Sequence, residues 1–411
     1  MENEKYLIIN AGSSSLKFSL YEMPSEKEVV NGYVEKIGLE DCFFTLKFDG
    51  KKIEKSELLK DHNDAVASML RELLANNFIA DISEIKGVGH RVLHGGEFYD
   101  ESVVIDDEVL QNIIKLTKLG PLHHPGQISG IMAMQKCLKN VEQVAVFDTA
   151  FHQSIPEVNY MYPIPYEYYE KHGVRKYGFH GTSHKYITEL MKERLNKENP
   201  NLIICHIGSG ASICAVKEGK SYNTSMGLTP LDGIMMGTRS GGIDPSIVEY
   251  ICKETNLSVG EITKILNNKS GLIGISGKSD MRDVRALMAE NDKKAILAYT
   301  MYCNSIVNYI AQYIFQLDGK IDAICFTAGV GENNPELRQY IVNKLSNVFD
   351  IKLDKEKNDN ISKNKAYQNG IITTIDSSFK VFVEQTDEEI MILRDTYKLV
   401  NTNTKVKSFN K

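Results

Sequence analysis

The feature that most constrains the fold of this chain is a repeated strand–turn–strand unit. Residues 7–20 read LIINAGSSSLKFSL, and residues 202–216 read LIICHIGSGASICAV. In each copy an apolar strand runs into a polar residue, Asn10 or His206, and then into glycine and other small residues before a second strand begins. The first half of the unit recurs at 322–335 as DAICFTAGVGENNP. The repetition predicts a duplicated fold with equivalent turns in its two halves.

Apolar runs typical of strands alternate with segments of helical periodicity, which predicts an α/β architecture. The predicted strands are 5–10, 14–22, 87–93, 143–148, 202–207, 211–217, 321–327 and 380–384, and the clearest helices are 64–76, 107–117, 183–196, 260–267 and 335–346. A chain of 411 residues is too long for one compact core. We expect two domains around a central cleft, the first covering 1–150 together with 386–411 and the second covering 151–385.

Composition and charge exclude several classes of protein. The net charge of −6 and a pI near 6.0 argue against a nucleic-acid partner. The 7 cysteines include no CxxC pair, which indicates a reducing compartment. The N-terminus, MENEKYLIIN, does not resemble a secretory signal, and the uncharged stretch 295–317 carries Asn or Gln at every fourth position from Asn304. The sequence therefore predicts a cytoplasmic protein with no membrane partner.

The small-residue turns suit an anionic ligand. Backbone N–H groups in a Gly/Ser turn form a concavity that a phosphate can approach closely, and Lys17 adds a positive charge to the first copy. The alternative for each turn is a plain β-hairpin. The segment 271–279, GLIGISGKS, has five residues between its outer glycines where a P-loop has four, and no GxGxxG ends a strand.

The middle of the chain concentrates histidine and arginine in short polar loops. Histidines four residues apart, such as His180 and His184, could chelate a metal, but no third ligand is evident and a core or hydrogen-bonding role is the alternative. Arg239 lies among glycines, where a guanidinium is open to an anionic ligand. No GxSxG motif is present, which argues against a serine hydrolase.

Several motifs together resemble the acetate kinase family in order and spacing over most of the chain. They are NAGSSSLKF, GHRVLHGG, FDTAFHQSIPE, YGFHGTSHKY, MGTRSGGIDP, SDMRDVR and FTAGVGEN. The resemblance implies the duplicated ribonuclease H-like fold of acetate and sugar kinases, Hsp70 and actin. It also implies reversible ATP-dependent phosphorylation of acetate to acetyl phosphate by direct in-line transfer. The expected cofactors are ATP/ADP and Mg²⁺, with Mn²⁺ as the alternative ion. The expected assembly is a homodimer whose second domain binds the nucleotide and forms the dimer interface.

The resemblance also assigns residues. Asn10 and Glu388 would belong to the metal site, Lys17 to the nucleotide phosphates and Arg91 to the acetate carboxylate. The catalytic group would be Arg91, Asp148, His180 and Arg239, and the acetate methyl would meet Leu93, Leu122, Phe179 and Pro230. The nucleotide would contact His206, Ile207, Gly208, Ser209, Gly210, Asp280, Met281, Arg282, Gly329, Val330, Gly331, Glu332 and Asn333. A carboxylate acceptor is already ionised at neutral pH, so we expect Asp148 to orient the metal shell or Arg91 instead of taking a proton.

Three alternatives stay open at this level. The chain could be a propionate or butyrate kinase, a pyrophosphate-dependent acetate kinase, or, from a different class, an actin- or Hsp70-like ATPase module. The glycines of AGVGEN favour a nucleotide over pyrophosphate, and Arg91 and Arg239 favour a kinase over an ATPase that activates only water. Leu93 stands where many relatives carry valine, so we expect a methyl pocket that prefers acetate.

Overall fold

The computed structural model describes residues 3–121, 123–361 and 370–409. The chain divides into two compact units, which are described separately. Unit 1 consists of Met1–Phe151 with Asp387–Lys411, and unit 2 consists of His152–Thr386.

Unit 1 contains an eight-stranded sheet with the order β5-β4-β3-β2-β1-β6-β8-β7. Its strands are β1 (Glu4–Ala11), β2 (Ser15–Met23), β3 (Lys27–Glu35), β4 (Phe43–Phe48), β5 (Lys51–Ser56), β6 (Ile85–Val92), β7 (Val103–Val104) and β8 (Glu142–Phe147). Its helices are α1 (His62–Ala75), α2 (Asp107–Lys115), α3 (His124–Cys137) and α15 (Glu388–Phe409). β1 is antiparallel to β2 and parallel to β6, which in turn is parallel to β8.

Alternating side chains give this sheet two apolar faces. In β2, Leu16, Phe18 and Leu20 point into a core shared with buried residues of α1 and α3. On the opposite face, Tyr6 and Ile8 of β1 pack with apolar residues of α15. Helices on both faces leave the ends of the strands as the places where polar side chains can meet a ligand.

Unit 2 contains a five-stranded sheet with the order β11-β10-β9-β12-β13. Its strands are β9 (Leu202–Ile207), β10 (Ala211–Lys217), β11 (Lys220–Thr224), β12 (Ala323–Thr327) and β13 (Lys380–Val383). Its helices are α4 (Glu157–Tyr160), α5 (Glu167–His172), α6 (Gly181–Leu195), α7 (Ser246–Thr255), α8 (Val259–Asn268), α9 (Gly271–Ser276), α10 (Met281–Ala289), α11 (Lys293–Gln316), α12 (Ala328–Asn333), α13 (Pro335–Leu345) and α14 (Lys355–Asn360).

The predicted duplication is confirmed by the order and direction of the strands. Strands β3-β2-β1-β6-β8 of unit 1 and β11-β10-β9-β12-β13 of unit 2 follow the same path, with an antiparallel meander of three strands joined to two parallel strands. The two copies of the repeated sequence are the hairpins β1–β2 and β9–β10, each in its own sheet. The predicted strands and helices are all present, with ends that differ by one or two residues.

The long uncharged stretch near residue 300 forms α11. Asn304, Asn308 and Gln312 lie on its exposed side, while Tyr302 and Ile306 are buried. The polar repeat therefore marks the face of an amphipathic helix. Within the described residues, no helix is long and apolar enough to cross a membrane.

Close packing explains part of the small-residue content of the first turn. A Cβ atom on Gly126, in the first turns of α3, would lie 2.4 Å from Gly12 O, so the helix can approach the β1–β2 turn only with glycine there. His62 Nε2 lies 2.9 Å from the same oxygen. The Gly12 carbonyl is therefore held by unit 1 itself, and only the rest of the turn is available to a ligand.

Candidate active site

In unit 1, two predicted site residues meet where β6 and β8 end. Arg91 lies in β6, and Asp148 follows β8 directly. Because these strands are parallel neighbours, both side chains lie at the same end of the sheet, where the carboxyl ends of β6 and β8 meet. The guanidinium of Arg91 donates two hydrogen bonds to Asp148, from Nε to Oδ1 at 3.1 Å and from Nη2 to Oδ2 at 2.7 Å. This bidentate contact fixes the plane of the guanidinium.

A second carboxylate lies next to the same arginine. Glu388 is the first residue of α15, and its Oε2 is 4.0 Å from Arg91 Nε. The side chain of Asp148 is 1% exposed and that of Arg91 is 25% exposed. The negative charges of Asp148 and Glu388 raise the pKa of Arg91 above its ordinary value. Arg91 is thus a fixed cation with two carboxylates beside it and part of its surface open.

The other predicted residues of unit 1 are more scattered. Asn10 in β1 faces Lys17 in β2 across the hairpin, and Lys17 is exposed beside a groove of about 380 Å³. Leu93 is 8% exposed, and its N–H donates to Gln127 Oε1 at 3.1 Å. Leu122, predicted to enclose the acetate methyl, lies outside the described residues.

In unit 2, His180 immediately precedes α6 in a left-handed backbone conformation, with φ of 58°. This conformation is uncommon for a residue other than glycine and is found preferentially at functional sites. His180 Nδ1 lies 2.9 Å from Ser212 Oγ in β10, and the His180 ring stacks on His206 with centroids 4.2 Å apart. The ring is therefore positioned on one edge by a hydroxyl and on one face by a second imidazole.

Arg239 lies beside His180 at the β9–β10 turn. A Cβ atom on Gly210 would be 3.5 Å from both Arg239 Nη1 and His180 Nε2, so both nitrogen atoms border the space next to this glycine. Arg239 Nη1 donates to Pro230 O at 3.2 Å, and burial lowers the pKa of the guanidinium. Among the described residues Arg239 has no ion-pair partner. A partly buried cation without a counterion is suited to an anionic ligand.

Two predicted methyl-pocket residues also lie in unit 2. Phe179 is 1% exposed, and its carbonyl oxygen is 3.0 Å from His152 Nε2. Pro230 contributes the carbonyl oxygen that accepts from Arg239. Phe179 is the chain neighbour of His180, and Pro230 contacts Arg239 through its backbone carbonyl oxygen.

A cavity of about 740 Å³ opens between the β9–β10 turn and helices α9 to α12, and we call it the α12 cavity. Eight residues predicted for the nucleotide line it: Gly208, Ser209, Asp280, Met281, Arg282, Gly329, Val330 and Asn333. Six others predicted for the nucleotide do not: Lys17, His206, Ile207, Gly210, Gly331 and Glu332. A Cβ atom on Gly331 would point at Ile207 and Phe326, away from the cavity, whereas one on Gly329 would meet nothing within 4 Å.

Six lining residues were missed by the sequence analysis: Gly237, Leu272, Ser279, Arg285, Tyr302 and Asn334. Ser279 and Arg285 are the first and last residues of the SDMRDVR motif, which could have indicated them. Leu272 belongs to the segment 271–279, whose sequence is similar to a P-loop, and its side chain forms part of the apolar wall of the cavity. Tyr302 comes from the buried face of α11, and nothing in its local sequence distinguishes it from a core residue.

The helix that borders this cavity is held by a buried arginine. Arg338 is 0% exposed and donates from Nη1 to Gly331 O at 2.7 Å and to Glu332 O at 2.8 Å. Its other nitrogen atoms donate to the side chain and backbone oxygen of Asn358. Ala328, the first residue of α12, has a φ of 64°, again in the left-handed region. The hydrogen bonds from Arg338 therefore fix the C-terminal end of α12, the helix from which Gly329 and Asn333 line the cavity.

Comparison with known proteins identifies the family. The model of the Acetokinase family matches residues 5–394. The chain belongs to the acetokinase family. An acetate kinase from Bacillus cytotoxicus is 49% identical over 400 residues, covering 97% of this chain and 99% of that protein.

Solved structures of the acetokinase family agree with the fold. A crystal structure of an acetate kinase from Porphyromonas gingivalis has a TM-score of 0.91 at 38% identity, covering 97% of this chain and 100% of the other. A propionate kinase from Francisella tularensis has a TM-score of 0.89 at 42% identity, covering 96% of this chain and 100% of the other. The predicted fold class, the duplicated fold of acetate and sugar kinases, is therefore confirmed.

Proposed function

We propose that this protein catalyses the reversible ATP-dependent phosphorylation of acetate, with acetyl phosphate and ADP as the products. The observation that carries the proposal is the pair of His180 and Arg239 at the β9–β10 turn, in a chain that belongs to the acetokinase family. Both side chains present nitrogen atoms to one space, and Arg239 has no counterion in the described part of the chain. Gly208 and Ser209 of the same turn line the α12 cavity.

The charges of these residues suit transfer of a phosphoryl group between two anions. The carboxylate of acetate must approach a triphosphate, so catalysis depends mainly on positioning and on neutralising charge. Arg239 would stabilise the negative charge of the transferred phosphoryl group, and His180 Nε2 would donate a hydrogen bond to one of its oxygen atoms. Neither role requires a covalent enzyme intermediate, so we propose direct in-line transfer.

Arg91 is the proposed partner of the acetate carboxylate. Its guanidinium plane is fixed by Asp148, and its exposed edge retains hydrogen-bonding capacity for a second carboxylate. The bidentate contact supports the view that Asp148 orients Arg91 and does not act as a general base. Acetate is ionised at neutral pH and has no proton to give up in this reaction.

The nucleotide is proposed to bind in the α12 cavity. The cavity presents the backbone of the β9–β10 turn on one side, Arg282 and Arg285 on another, and glycine at position 329. The open space over Gly329 supports a nucleotide over pyrophosphate as the donor, because a pyrophosphate enzyme has no use for room beyond the phosphates. Lys17 of unit 1 is proposed to contact the phosphates.

The donor atoms of unit 1 fit Mg²⁺. Asn10 offers an amide oxygen and Glu388 a carboxylate, and hard oxygen donors of this kind are the ligands that Mg²⁺ uses, together with substrate phosphates. Within the described residues no group of three His, Cys, Asp or Glu side chains could hold a metal by itself, which is in keeping with an ion bound largely through the nucleotide. Asn10 and Glu388 would hold Mg²⁺, which would neutralise phosphate charge. Mn²⁺ prefers similar ligands and is the alternative ion.

We further propose a homodimer in the cytoplasm. Ile247 and Tyr250 of α7 and Val259 of α8 are exposed apolar side chains on adjacent helices of unit 2, and Tyr250 is 66% exposed. All seven cysteines are unpaired thiols, as a reducing compartment allows. Light scattering after size exclusion tests the dimer, with Tyr250→Glu expected to shift it towards monomer.

A hydroxamate assay for acyl phosphate tests the proposed activity. Wild-type protein with Mg²⁺ should be combined with ATP, GTP or pyrophosphate as donor and with acetate, propionate or butyrate as acceptor. We expect the ATP and acetate combination to give the highest kcat/KM. Activity with pyrophosphate alone, or a preference for propionate such as the name of the Francisella relative suggests for that protein, would replace the proposal with one of its alternatives.

A further inference from the structure

The side chains behind His180 form a chain of hydrogen bonds that none of the roles above uses. His184 lies one helical turn after His180, and its backbone N–H donates to His180 O at 2.9 Å. Because residues four apart share a helix face, both imidazoles reach the same point of β10. There Ser212 Oγ lies 2.9 Å from His180 Nδ1 and 2.8 Å from His184 Nε2. The two histidines thus share one hydroxyl group.

One hydroxyl group between two imidazoles allows two directions of donation. Ser212 has a single proton, so it can donate to one ring nitrogen and must accept from the other. In the first arrangement His184 Nε2–H donates to Ser212, and Ser212 donates to His180 Nδ1. In the second, Ser212 donates to His184 Nε2, and His180 Nδ1–H donates to Ser212. Each direction dictates which nitrogen of His180 carries the proton.

The surroundings of His184 decide between these directions. His184 is 0% exposed, and burial together with the neighbouring His152 and His206 lowers its pKa far below the ordinary value, so the ring is neutral. Its Nδ1 is buried and has no hydrogen-bond partner. In the second arrangement a neutral His184 would carry its proton on this Nδ1, leaving a buried N–H without an acceptor, which folded proteins avoid more strictly than an unused acceptor. The first arrangement leaves only a lone pair unused.

We propose that Ser212 and His184 are positioning residues that set the tautomer of His180. His184 Nε2–H donates to Ser212 Oγ, the Ser212 hydroxyl donates to His180 Nδ1, and neutral His180 therefore carries its proton on Nε2. This is the nitrogen that borders the space next to Gly210 and Arg239. A neutral imidazole with the opposite tautomer would turn a lone pair towards the phosphoryl oxygen and would repel it. The inference rests on the proposed role of His180 in phosphoryl transfer.

The tautomer can be measured directly in the full-length protein without substrate. Protein labelled with ¹⁵N in its histidine rings would be examined by long-range ¹H–¹⁵N NMR at neutral pH, with the His180 signals assigned by their loss in His180→Gln. We expect Nε2 of His180 to be protonated and Nδ1 to be an unprotonated acceptor. Protonated Nδ1 on His180 in the wild-type protein would overturn the proposal. Because this measurement needs no turnover, its result is independent of whether the protein transfers phosphate to acetate.

Kinetic variants test whether the tautomer matters for the reaction. Ser212→Ala is expected to lower kcat on the order of tenfold, as loss of a residue that orients a reacting group typically does, with little change in either KM. Ser225→Ala is the matched control, because Ser225 is also buried and accepts from Ile213 N at 2.9 Å but does not contact His180. His184→Gln, which keeps an N–H donor towards Ser212, should retain more activity than His184→Met. Equal kcat values for Ser212→Ala and Ser225→Ala would overturn the proposal.

Discussion

At the scale of single residues, the two proposed active-site arginines differ in how they are paired. Arg91 is held by Asp148 and lies near Glu388, whereas Arg239 makes no ion pair in the described part of the chain. A paired cation positions a ligand with little change in charge, while an unpaired one is ready to neutralise new negative charge. We therefore assign ground-state binding of acetate mainly to Arg91 and stabilisation of the transferred phosphoryl group mainly to Arg239.

Substitution of the two arginines should separate these roles. Arg239→Ala is expected to lower kcat by about 10²–10³, as removal of one preorganised charge donor usually does. Arg91→Ala should also raise the KM for acetate, and it should destabilise unit 1 because it removes the cation that pairs with the buried carboxylate of Asp148. Steady-state kinetics and melting curves measure both effects. The control is Arg394→Ala, which removes an exposed arginine paired with Glu26. Kinetics within a few-fold of wild type for both site variants would contradict the assignment.

Leu93 provides a prediction about the size of the acid. If its side chain lines the methyl pocket, shortening it creates space for one more carbon of the substrate. A methylene in a hydrophobic pocket changes kcat/KM by roughly 10–200-fold. Leu93→Ala should therefore raise the ratio of kcat/KM for propionate to that for acetate. Leu46→Ala, which shortens a core side chain of unit 1, is the control for an effect of reduced stability alone. A ratio that does not change would show that Leu93 packs with its side chain away from the acid.

Sequence motifs identified the polar residues of the candidate site better than its apolar walls. His180, Arg239 and Ser209 belong to short stretches of glycine, serine and charge, whose composition suggests a ligand. Leu272 and Tyr302 line the α12 cavity from helices whose apolar residues follow ordinary core periodicity. A buried side chain that faces a ligand and one that faces another side chain have the same pattern, so only the tertiary structure distinguishes them.

At the scale of elements, helix α12 places the two glycines of AGVGEN in different surroundings. It begins at Ala328 in the left-handed conformation and ends where Arg338 binds two of its carbonyl groups. Gly329 lines the cavity, and a Cβ atom on it would meet nothing within 4 Å, whereas a Cβ atom on Gly331 would point towards Ile207 of β9 and Phe326 of β12. The motif AGVGEN contains both glycines, and the sequence alone does not show which of them faces the ligand.

The two glycines give a matched pair of variants. Gly329→Gln should fill the α12 cavity and weaken ATP binding by on the order of tenfold or more, because the added side chain takes space that the nucleotide needs. Gly331→Ala should change ATP binding little, since its Cβ atom would lie 3.5 Å from Ile207 Cβ, an ordinary contact. Isothermal titration of each variant with ATP measures both. Normal binding to Gly329→Gln would contradict the placement of the nucleotide.

Some elements were not predicted, for reasons of composition. β5 has the sequence KKIEKS and lies at the edge of the sheet, where charged residues are tolerated on exposed positions. α3 begins with HPGQ and contains two glycines, and its close contact with the Gly12 turn explains why residues with low helix propensity stand there. Tertiary contacts favour these elements over their weak local preferences.

At the scale of the whole molecule, both units contain a buried neutral histidine. Burial lowers the pKa of His90 in unit 1 and of His152 in unit 2 to about 4. In the unfolded chain these groups have the ordinary value near 6.5, so below this pH the unfolded state binds more protons than the native state. Stability contributed by the neutral histidines is fully present above pH 6.5 and is lost as the pH falls towards 4.

Chemical denaturation at a series of pH values tests this linkage. Between pH 7 and pH 4.5 each histidine should reduce the unfolding free energy by about 2–3 kcal/mol. His90→Gln, which keeps a group able to bond Gln143, should reduce the slope of stability against pH for unit 1. His172→Gln replaces an exposed histidine and serves as the control. An unchanged slope in His90→Gln would mean that other groups determine the loss of stability in acid.

The duplicated sheet also explains where the candidate site residues lie in each unit. The equivalent hairpins β1–β2 and β9–β10 both carry turns of small residues. In unit 1, Arg91 lies near the end of β6 and Asp148 follows β8, while in unit 2 strand β12 leads directly into α12. The repeat in the sequence predicted the duplication, whereas the order and direction of the strands are known only from the structure. The order and direction of the strands determine which loops lie together at one end of each sheet.

The most direct test of the account is the coupling between ATP consumption and acyl phosphate formation. ADP and acetyl phosphate would be measured in the same reaction, with Mg²⁺ and ATP, in the presence and absence of acetate. We expect one acetyl phosphate for each ADP, and almost no ADP when acetate is omitted, because the proposed site neutralises an attacking carboxylate and has no group assigned to activate water. ADP release that continues without acetate, or that exceeds acetyl phosphate in its presence, would contradict the account and indicate an ATPase.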